Sequence, residues 1–151
     1  KDDVMSIYAS SPMHDVGKLL LLRVLDEIRT QMLEHETELP PSLADELIEA
    51  THGEHGGGLL ARWNMPQVYR QIARDHDRDD VELNEAPLAI VRLANGACRK
   101  LGIGPRRDSR LVLAAMDDAA WLGADDVLLA ELEIFLEDSV LAEPALTPRS
   151  G

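Results

Sequence analysis

Histidine and aspartate residues at three places in the chain could do chemistry together: His14-Asp15, His52 and Asp75-His76. Neutral imidazole nitrogens and carboxylate oxygens form a mixed ligand set that suits divalent metal ions. A metal ion held in this way could lower the pKa of a bound water molecule or polarise a phosphoryl oxygen. The pair His14-Asp15 also has a structural interpretation, because an aspartate at a helix end is commonly a cap. Taken alone, the pair is therefore weak support for a metal site.

Four segments of the chain share their order and spacing with a known family. His14–Lys18 reads His-Asp-Val-Gly-Lys, and Thr51–Pro66 carries His-Gly-Glu-His-Gly-Gly-Gly followed by two leucines, a tryptophan and Met-Pro. Ile72–His76 reads Ile-Ala-Arg-Asp-His, and Leu88–Asn95 is an apolar segment that ends in Ala-Asn. From about residue 3 to residue 101 the chain therefore resembles an HDOD domain, the HD-related output domain of the HD and HD-GYP phosphohydrolase superfamily.

This resemblance implies an HD-domain-like helical fold and two kinds of site position. The metal-ligand positions are His14, Asp15, His52 and His76, and the site-lining positions are Lys18, Asp75 and Asn95. Structural alternatives stay open for all of them, because a histidine can pack or cap a helix and a lysine can lie along the surface with its charge in water. No catalytic residue and no cofactor is expected, and a divalent metal at the ligand positions is left open.

Departures from the family pattern bear on catalysis. Active HD phosphohydrolases use a histidine upstream of the His-Asp dyad, and none precedes His14 here, so we expect part of the domain to lie upstream of Lys1. Asn95 stands at a later aspartate position, and Asp75 stands at the first position of a His-His pair. The Gly-Tyr-Pro loop of HD-GYP hydrolases is missing after His76. The neutral amide weakens the hold on a divalent ion, which argues against hydrolysis.

Hydrophobic periodicity and helix-breaking residues predict the elements that must position these side chains. A short helix is predicted over 3–13 and a longer one over 18–36. Ser42, after two prolines, is the expected N-cap of the next helix. The glycines between Gly53 and Gly58 predict a helix junction or a close approach of two backbones. A turn at 64–66 then leads into a helix that opens at Pro66 or Gln67.

The second half of the chain also reads as helical. Pro87 opens a helix that ends at Gly102, and two more helices are predicted over 108–121 and 124–138, separated by Gly123. No segment alternates with a period of two residues. The predicted fold class is all-α, an HD-domain-like bundle of six or seven helices. Residues 1–143 are expected to form one domain and residues 144–151 a flexible tail.

The composition indicates which partners and which cellular compartment to expect. The chain has a formal net charge of −13 and a single cysteine, Cys98. Nucleic-acid binding needs clustered Lys and Arg, and an acidic protein is repelled by anionic membranes, so neither partner is expected. No apolar run approaches the roughly 20 residues of a membrane-spanning helix. One cysteine fits a reducing compartment, which favours the cytoplasm. Trp63 and Trp121 are interpreted as core or interface anchors.

Three functions follow from these observations. The favoured one is a non-catalytic bacterial signal-transduction module of the response-regulator type, with a degenerate metal site and with protein-protein contacts as its mode of action. Its partners would be other signalling proteins or an attached receiver or regulatory domain, and a homodimer is left open. The alternative is an active, metal-dependent HD-type phosphohydrolase that acts on a nucleotide or a cyclic dinucleotide. A helical adaptor that senses no ligand is the third.

Overall fold

A computed structural model of the chain describes residues 13–34, 38–104 and 106–142. The helices in these ranges are α1 (Val16–Glu34), α2 (Pro41–Arg62), α3 (Gln67–Asp75), α4 (Ala86–Leu101), a 3-10 helix at Leu113–Ala115, α5 (Asp117–Leu122) and α6 (Asp126–Ala142). The described part of the chain has no strand, which confirms the all-α fold class. The predicted tail at 144–151 and all but the last residue of the predicted helix 3–13 lie outside the described residues.

The chain divides into two compact units, Lys1–Val91 and Arg92–Gly151. The division falls within α4, so α1 to α3 belong to the first unit and α5 and α6 belong to the second. No helix among the described residues is long and apolar enough to cross a membrane. The single domain expected over 1–143 stays a prediction.

In the first unit α1 packs against α2, and a glycine allows their backbones to touch. A β-carbon at Gly17 would collide with the backbone carbonyl of His52. Farther along the two helices, Leu21 and Leu25 pack with Ile48 in a small apolar core. The residues just before α1 are therefore held beside the middle of α2.

Two other glycines of α2 allow the backbone of α3 to approach α2 closely. A β-carbon at Gly53 would lie 2.7 Å from the carbonyl oxygen of Arg74, and one at Gly57 would lie 3.1 Å from that of Arg70. The predicted close approach of two backbones is thus confirmed. The predicted helix junction is wrong, because α2 runs through the whole glycine segment. Packing on both sides compensates for the low helix propensity of glycine.

The ends of α2 differ in how well they were predicted. Ser42 is not the N-cap: α2 begins at Pro41, and Pro40 precedes it without a side-chain cap. A proline suits the first helical position because its φ is already helical and its missing N–H has no helical partner there. The predicted turn after α2 is confirmed, with Asn64 at φ 55° and α3 beginning after Pro66.

Both tryptophans lie at helix ends, and neither is in the core. Trp63 follows the last residue of α2 and is 58% exposed, while Trp121 lies in the last turn of α5 and is 45% exposed. Their predicted role as core anchors is therefore wrong. A role at an interface stays a prediction.

The second unit has its own apolar core, and its helices differ in part from the predicted ones. Its buried apolar residues are Leu93, Ala97, Leu113, Ala119 and Leu129. The single helix predicted over 108–121 is wrong. The Asp108 carboxylate accepts a hydrogen bond from the amide of Arg110 at 3.1 Å and stabilises a turn instead, and Met116 is extended before α5. Gly123 ends α5 at φ 67°, as predicted.

The helix α6 begins at Asp126 rather than at residue 124. The Asp125 carboxylate accepts a hydrogen bond from the amide of Leu128 at 2.9 Å. This is the contact of an N-cap, which satisfies an amide that has no helical partner. Asp125 therefore sets the start of the helix two residues later than the apolar pattern indicates.

Candidate functional site

Two imidazoles, His52 in α2 and His76 just after α3, are fixed in the same tautomer. His52 Nδ1 lies 3.0 Å from the carbonyl oxygen of Ile48, one turn earlier in α2. His76 Nδ1 lies 3.1 Å from the carbonyl oxygen of Ile72, one turn earlier in α3. A carbonyl oxygen can only accept, so the Nδ1 atom of each ring carries the proton and donates it. In the neutral form of each ring, the Nε2 atom is therefore an acceptor.

These two Nε2 atoms face each other at 3.3 Å, and two carboxylates converge on them. Asp15 Oδ1 lies 3.4 Å from His76 Nε2 and 3.8 Å from His52 Nε2. Asp77 Oδ2 lies 3.6 Å from His52 Nε2 and 3.8 Å from His76 Nε2. We call Asp15, His52, His76 and Asp77 the His-Asp cluster. Both of its histidines are buried, so its nitrogen acceptors lie away from bulk water.

His14 lies at the edge of the His-Asp cluster. Its Nε2 atom is 3.4 Å from Asp15 Oδ2, and its ring meets that of His76 edge-on at a centroid distance of 4.9 Å. Among the described residues, two groups are compact enough to hold a metal ion, and they share His76. The first is His14, Asp15 and His76, and the second is His52, His76 and Asp77. The structure thus brings the four predicted ligands together, while metal binding by them stays a prediction.

Lys18 brings a positive charge to the His-Asp cluster. Its Nζ atom lies 2.9 Å from Asp15 Oδ1 and 4.0 Å from Glu49 Oε1. The ammonium forms an ion pair with Asp15 but is not aligned for a hydrogen bond, since the buried Oδ1 atom accepts none of good geometry. Burial raises the pKa of Asp15, but contacts with His76 and Lys18 outweigh it and hold the pKa well below its usual range. Asp15 is therefore ionised at neutral pH.

Burial raises the pKa of a carboxyl group but lowers that of an imidazole. At His52 it lowers the pKa, because the protonated ring would lose its contacts with water. Lys18 and His76 lower the pKa further, against the opposing effects of the Ile48 carbonyl and Asp77. His52 is therefore neutral at pH 7, which is the form of imidazole that binds a metal ion.

Asp75 lies outside the His-Asp cluster, although the adjacent His76 is part of it. The Asp75 carboxylate accepts hydrogen bonds from Arg74 Nε and Nη2 at 3.1 and 3.3 Å, and it lies 3.7 Å from Arg78 Nη1. Two guanidinium groups thus balance the charge of this buried side chain. Asp75 belongs to neither of the metal-capable groups of the described residues. Its predicted role in lining the site stays a prediction.

Two further residues of the sequence analysis lie elsewhere. Asn95 is half-buried on α4 and belongs to the second unit, and its place at the site stays a prediction. His55 is exposed on α2. The remaining histidine, at position 35, is outside the described residues.

An open cavity of about 540 Å³ borders the His-Asp cluster within the first unit. Its lining is mainly charged and polar: Glu49, Ala50, His52, Gly53, Glu54, Arg74, Asp77 and Arg78. A small polar solute or an ion can therefore reach His52 and Asp77 from this side. The acidic and basic residues are mixed, so the cavity has no single sign of charge.

The chemistry of the donors fits a divalent metal ion. The His-Asp cluster offers two imidazole nitrogens and two carboxylate oxygens, and the histidine Nδ1 atoms are already hydrogen-bonded to carbonyl oxygens. Metal-binding histidines usually have such a contact, which fixes the ring orientation. Asp77 is the member that the sequence analysis missed. The signal was present, because His76-Asp77 repeats the His-Asp pair of His14-Asp15.

The comparison with known families identifies the first half of the chain. The family model of the HDOD domain matches residues 1–78, slightly more than half of the chain. The matched segment ends one residue after Asp77, so it contains the whole His-Asp cluster. No curated protein and no solved structure matches the chain.

Proposed function

The chain belongs to the HDOD domain family, a signalling-associated group of HD-related domains, and on this premise we propose that it is a non-catalytic regulatory module. In this proposal it acts through protein-protein contacts in bacterial signal transduction. Its partner would be another signalling protein or an attached receiver or regulatory domain. The net charge of −13 and the single cysteine support a cytoplasmic role without nucleic acid.

The observation that carries the proposal is the position of Asp75. The resemblance places a histidine of the His-His pair there, next to His76. In this chain the side chain is a carboxylate held by Arg74 and Arg78, away from the His-Asp cluster. Two-metal hydrolysis needs ligands for two ions about 3.5–4 Å apart, and Asp75 is not available as one of them. The two metal-capable groups of the described residues share His76, so its one free nitrogen can serve only one ion at a time.

Lys18 provides a second argument against hydrolysis. Its ammonium group lies on Asp15, the aspartate of the His-Asp dyad, at 2.9 Å. A phosphohydrolase needs this carboxylate to hold a metal ion that activates water. Here a side chain of the protein already neutralises much of that charge, so an incoming ion must compete with it.

A role in protein contacts is supported by the surface of α1. Leu19, Leu22 and Leu33 are 68%, 53% and 59% exposed, although each is a large apolar side chain. Exposed apolar patches on soluble proteins commonly mark interaction sites. The same helix packs against α2 through Gly17. Binding of a partner to α1 would therefore act on the element that positions His14 and Asp15.

A hydrolysis assay tests the proposal. The chain would be incubated with Mn²⁺, Zn²⁺ or Mg²⁺ and with a nucleotide, a cyclic dinucleotide or a generic phosphodiester. We expect no turnover above that of the variant His76→Ala, which removes a member of both metal-capable groups. Metal-dependent hydrolysis that the variant His76→Ala loses would overturn the proposal.

The same assay distinguishes the alternative function, a metal-dependent HD-type phosphohydrolase. The observation that favours it is the open cavity beside His52 and Asp77, in which Arg74 and Arg78 could contact a phosphate. Both arginines, however, already pair with carboxylates, Arg74 with Asp75 and Arg78 with Asp80. We therefore retain hydrolysis only as the second candidate.

A further inference from the structure

The second unit has an open cavity of about 380 Å³ between α6, the 3-10 helix and the end of α4, which we call the α6 groove. We infer that the α6 groove binds an amphipathic helix of a partner protein, whose apolar side chains are flanked by Lys and Arg. This inference rests on the proposed function and deepens it, because it names the chemistry of a partner for the protein-protein contacts. The groove lies between residues 100 and 137, beyond the segment that matches the HDOD domain model.

The floor of the α6 groove is apolar and partly open to solvent. Leu113 and Leu129 are buried beneath it, whereas Val112 and Ile134 are 59% and 57% exposed. A concave apolar surface of this kind favours the insertion of an apolar side chain, which would remove both surfaces from water. The apolar lining consists of Val112, Leu113, Ala114, Leu129, Ala130 and Ile134.

The sequence of α6 explains why apolar surface remains exposed beside the groove. A surface helix usually has one apolar stripe, but α6 has apolar residues outside its packed face as well. Leu129 and Leu132 belong to the core of the second unit. Val127, Ala130 and Ile134 are exposed and follow one another at spacings of three and four residues along the side that borders the groove. Such spacing is the one by which one helix contacts another.

The charges around the α6 groove select a basic partner. Four charged side chains line it: Lys100, Asp126, Glu133 and Glu137. Lys100 Nζ lies 2.6 Å from Glu133 Oε1, so these two charges largely neutralise each other. Asp126 and Glu137 remain, and no residue in the described part of the chain forms an ion pair with either of them. Since α6 contains no Lys or Arg, its side of the groove is negative.

The same charges disfavour other occupants. Two copies of the α6 groove that met in a symmetric dimer would bring Asp126 and Glu137 of both chains together, and like charges at an interface oppose association. A chain with a net charge of −13 is also repelled by anionic membranes and by nucleic acids. Basic residues of a partner helix would instead meet Asp126 and Glu137 while its apolar residues enter the groove.

Binding of a model peptide to the intact chain tests this inference. The probe is a fluorescently labelled peptide of Leu and Lys, about five helical turns long, with Leu along one face. Two reference peptides have the same length: in one every Lys is replaced by Glu, and in the other the order of Leu and Lys is scrambled. Fluorescence anisotropy measures the affinities. We expect the Leu-Lys helix to bind at least about tenfold more tightly than either reference.

Two matched pairs of substitutions on α6 locate the bound peptide. Ile134→Ser removes an apolar side chain of the groove and should weaken binding about tenfold or more. Leu128→Ser should have no effect, because Leu128 is two residues from Ala130 and so lies on the opposite side of the helix. Glu137→Gln should weaken binding about two- to fivefold, whereas Glu131→Gln, which does not line the groove, should not. Circular dichroism checks that each variant is folded.

Three outcomes would overturn the inference. The first is equal binding of the peptide by Ile134→Ser and Leu128→Ser, or equal binding of all three peptides. The second is a dimer that Ile134→Ser dissociates in sedimentation equilibrium, because the groove would then hold a second copy. The third is a cross-link from a photoreactive residue placed at Ala130 to residues 143–151 of the same chain that the peptide does not displace.

These results are independent of the test of the proposed function. The absence of peptide binding overturns the α6 groove as a docking site and leaves the regulatory proposal standing, since that proposal rests on Asp75 and Lys18. Metal-dependent hydrolysis by a chain that binds the peptide as described would contradict the regulatory proposal and leave the docking site intact.

Discussion

The Nε2 atoms of His52 and His76 lie 3.3 Å apart, and in the neutral Nδ1–H tautomers neither of them carries a proton to share. Each ring donates its single neutral-state proton from Nδ1 to a backbone carbonyl. Protonation of His52 would relieve the contact, but burial and the nearby positive charge of Lys18 lower its pKa. The two Nε2 atoms are therefore hydrogen-bond acceptors that face each other. A metal ion bound by both atoms would satisfy them without an additional proton.

Lys18 should weaken cation binding at the His-Asp cluster, so its removal should strengthen it. We expect Lys18→Met to raise the affinity for Zn²⁺ about two- to fivefold, because a partly exposed ion pair is worth about 0.5–1 kcal/mol. Chelator competition measures this change. Arg23→Met removes the same charge farther along α1, at an exposed position, and should have no effect. Weaker binding by Lys18→Met than by the unsubstituted chain would show that Lys18 does not compete with the ion.

Gly17 should be far more sensitive to substitution than Gly58. In Gly17→Ala the new methyl group collides with the carbonyl of His52, so α1 must move away from α2. We expect a loss of about 3 kcal/mol in the free energy of unfolding, which is at the upper end for overpacking. Gly58→Ala meets no atom within 4 Å and should stabilise the helix by about 0.5–1 kcal/mol. Urea denaturation measures both, and similar effects would contradict the close contact.

Much of the fold could be predicted from the sequence, because apolar periodicity and proline or glycine positions are local signals. They locate α1 to α4 and the turn at 64–66 to within a few residues. The helix predicted over 108–121 failed for a physical reason. The Asp108 side chain stabilises a turn by a hydrogen bond to the Arg110 amide, and a hydrophobic pattern does not record such a contact.

The site could be predicted only in part. His14, Asp15, His52 and His76 are recognisable by residue type and spacing. Their convergence depends on two backbone contacts, at Gly17 and Gly53, that follow from how three helices pack. The sequence shows the glycines, but it does not show which backbone segment each of them contacts.

The directions of the side chains after α3 could not be predicted from the sequence either. Asp75 and Asp77 flank His76 and are chemically identical. Asp75 turns to Arg74, while Asp77 faces the imidazoles. Sequence spacing favoured Asp75 through the family resemblance and missed Asp77. Only the position of each side chain relative to the end of α3 distinguishes them.

The buried ion pair of the second unit should dominate the stability of that unit. Arg92 Nε lies 2.7 Å from Asp118 Oδ1, and the Asp118 side chain is only 2% exposed. Asp118→Ala leaves a guanidinium group in a largely buried place, so we expect a loss of about 3–5 kcal/mol. Thermal or urea denaturation measures this change. Glu27→Ala breaks the exposed pair with Arg23 and should change stability by less than about 1 kcal/mol. A small effect of Asp118→Ala would mean that Arg92 finds equivalent partners.

Cys98 should be a slow nucleophile, because burial raises the pKa of its thiol. The thiolate is the reactive form, and a raised pKa means that less of it is present at a given pH. At pH 8 we expect reaction with a disulfide reagent to be several times slower in the folded chain than in the chain unfolded by guanidinium. The rate for the folded chain should continue to rise above pH 9, where the unfolded chain is already levelling off. Since Cys98 is the only cysteine, the colour change reports on it alone. Equal rates for the folded and unfolded chains at pH 8 would show that the thiol has an ordinary pKa and is fully accessible.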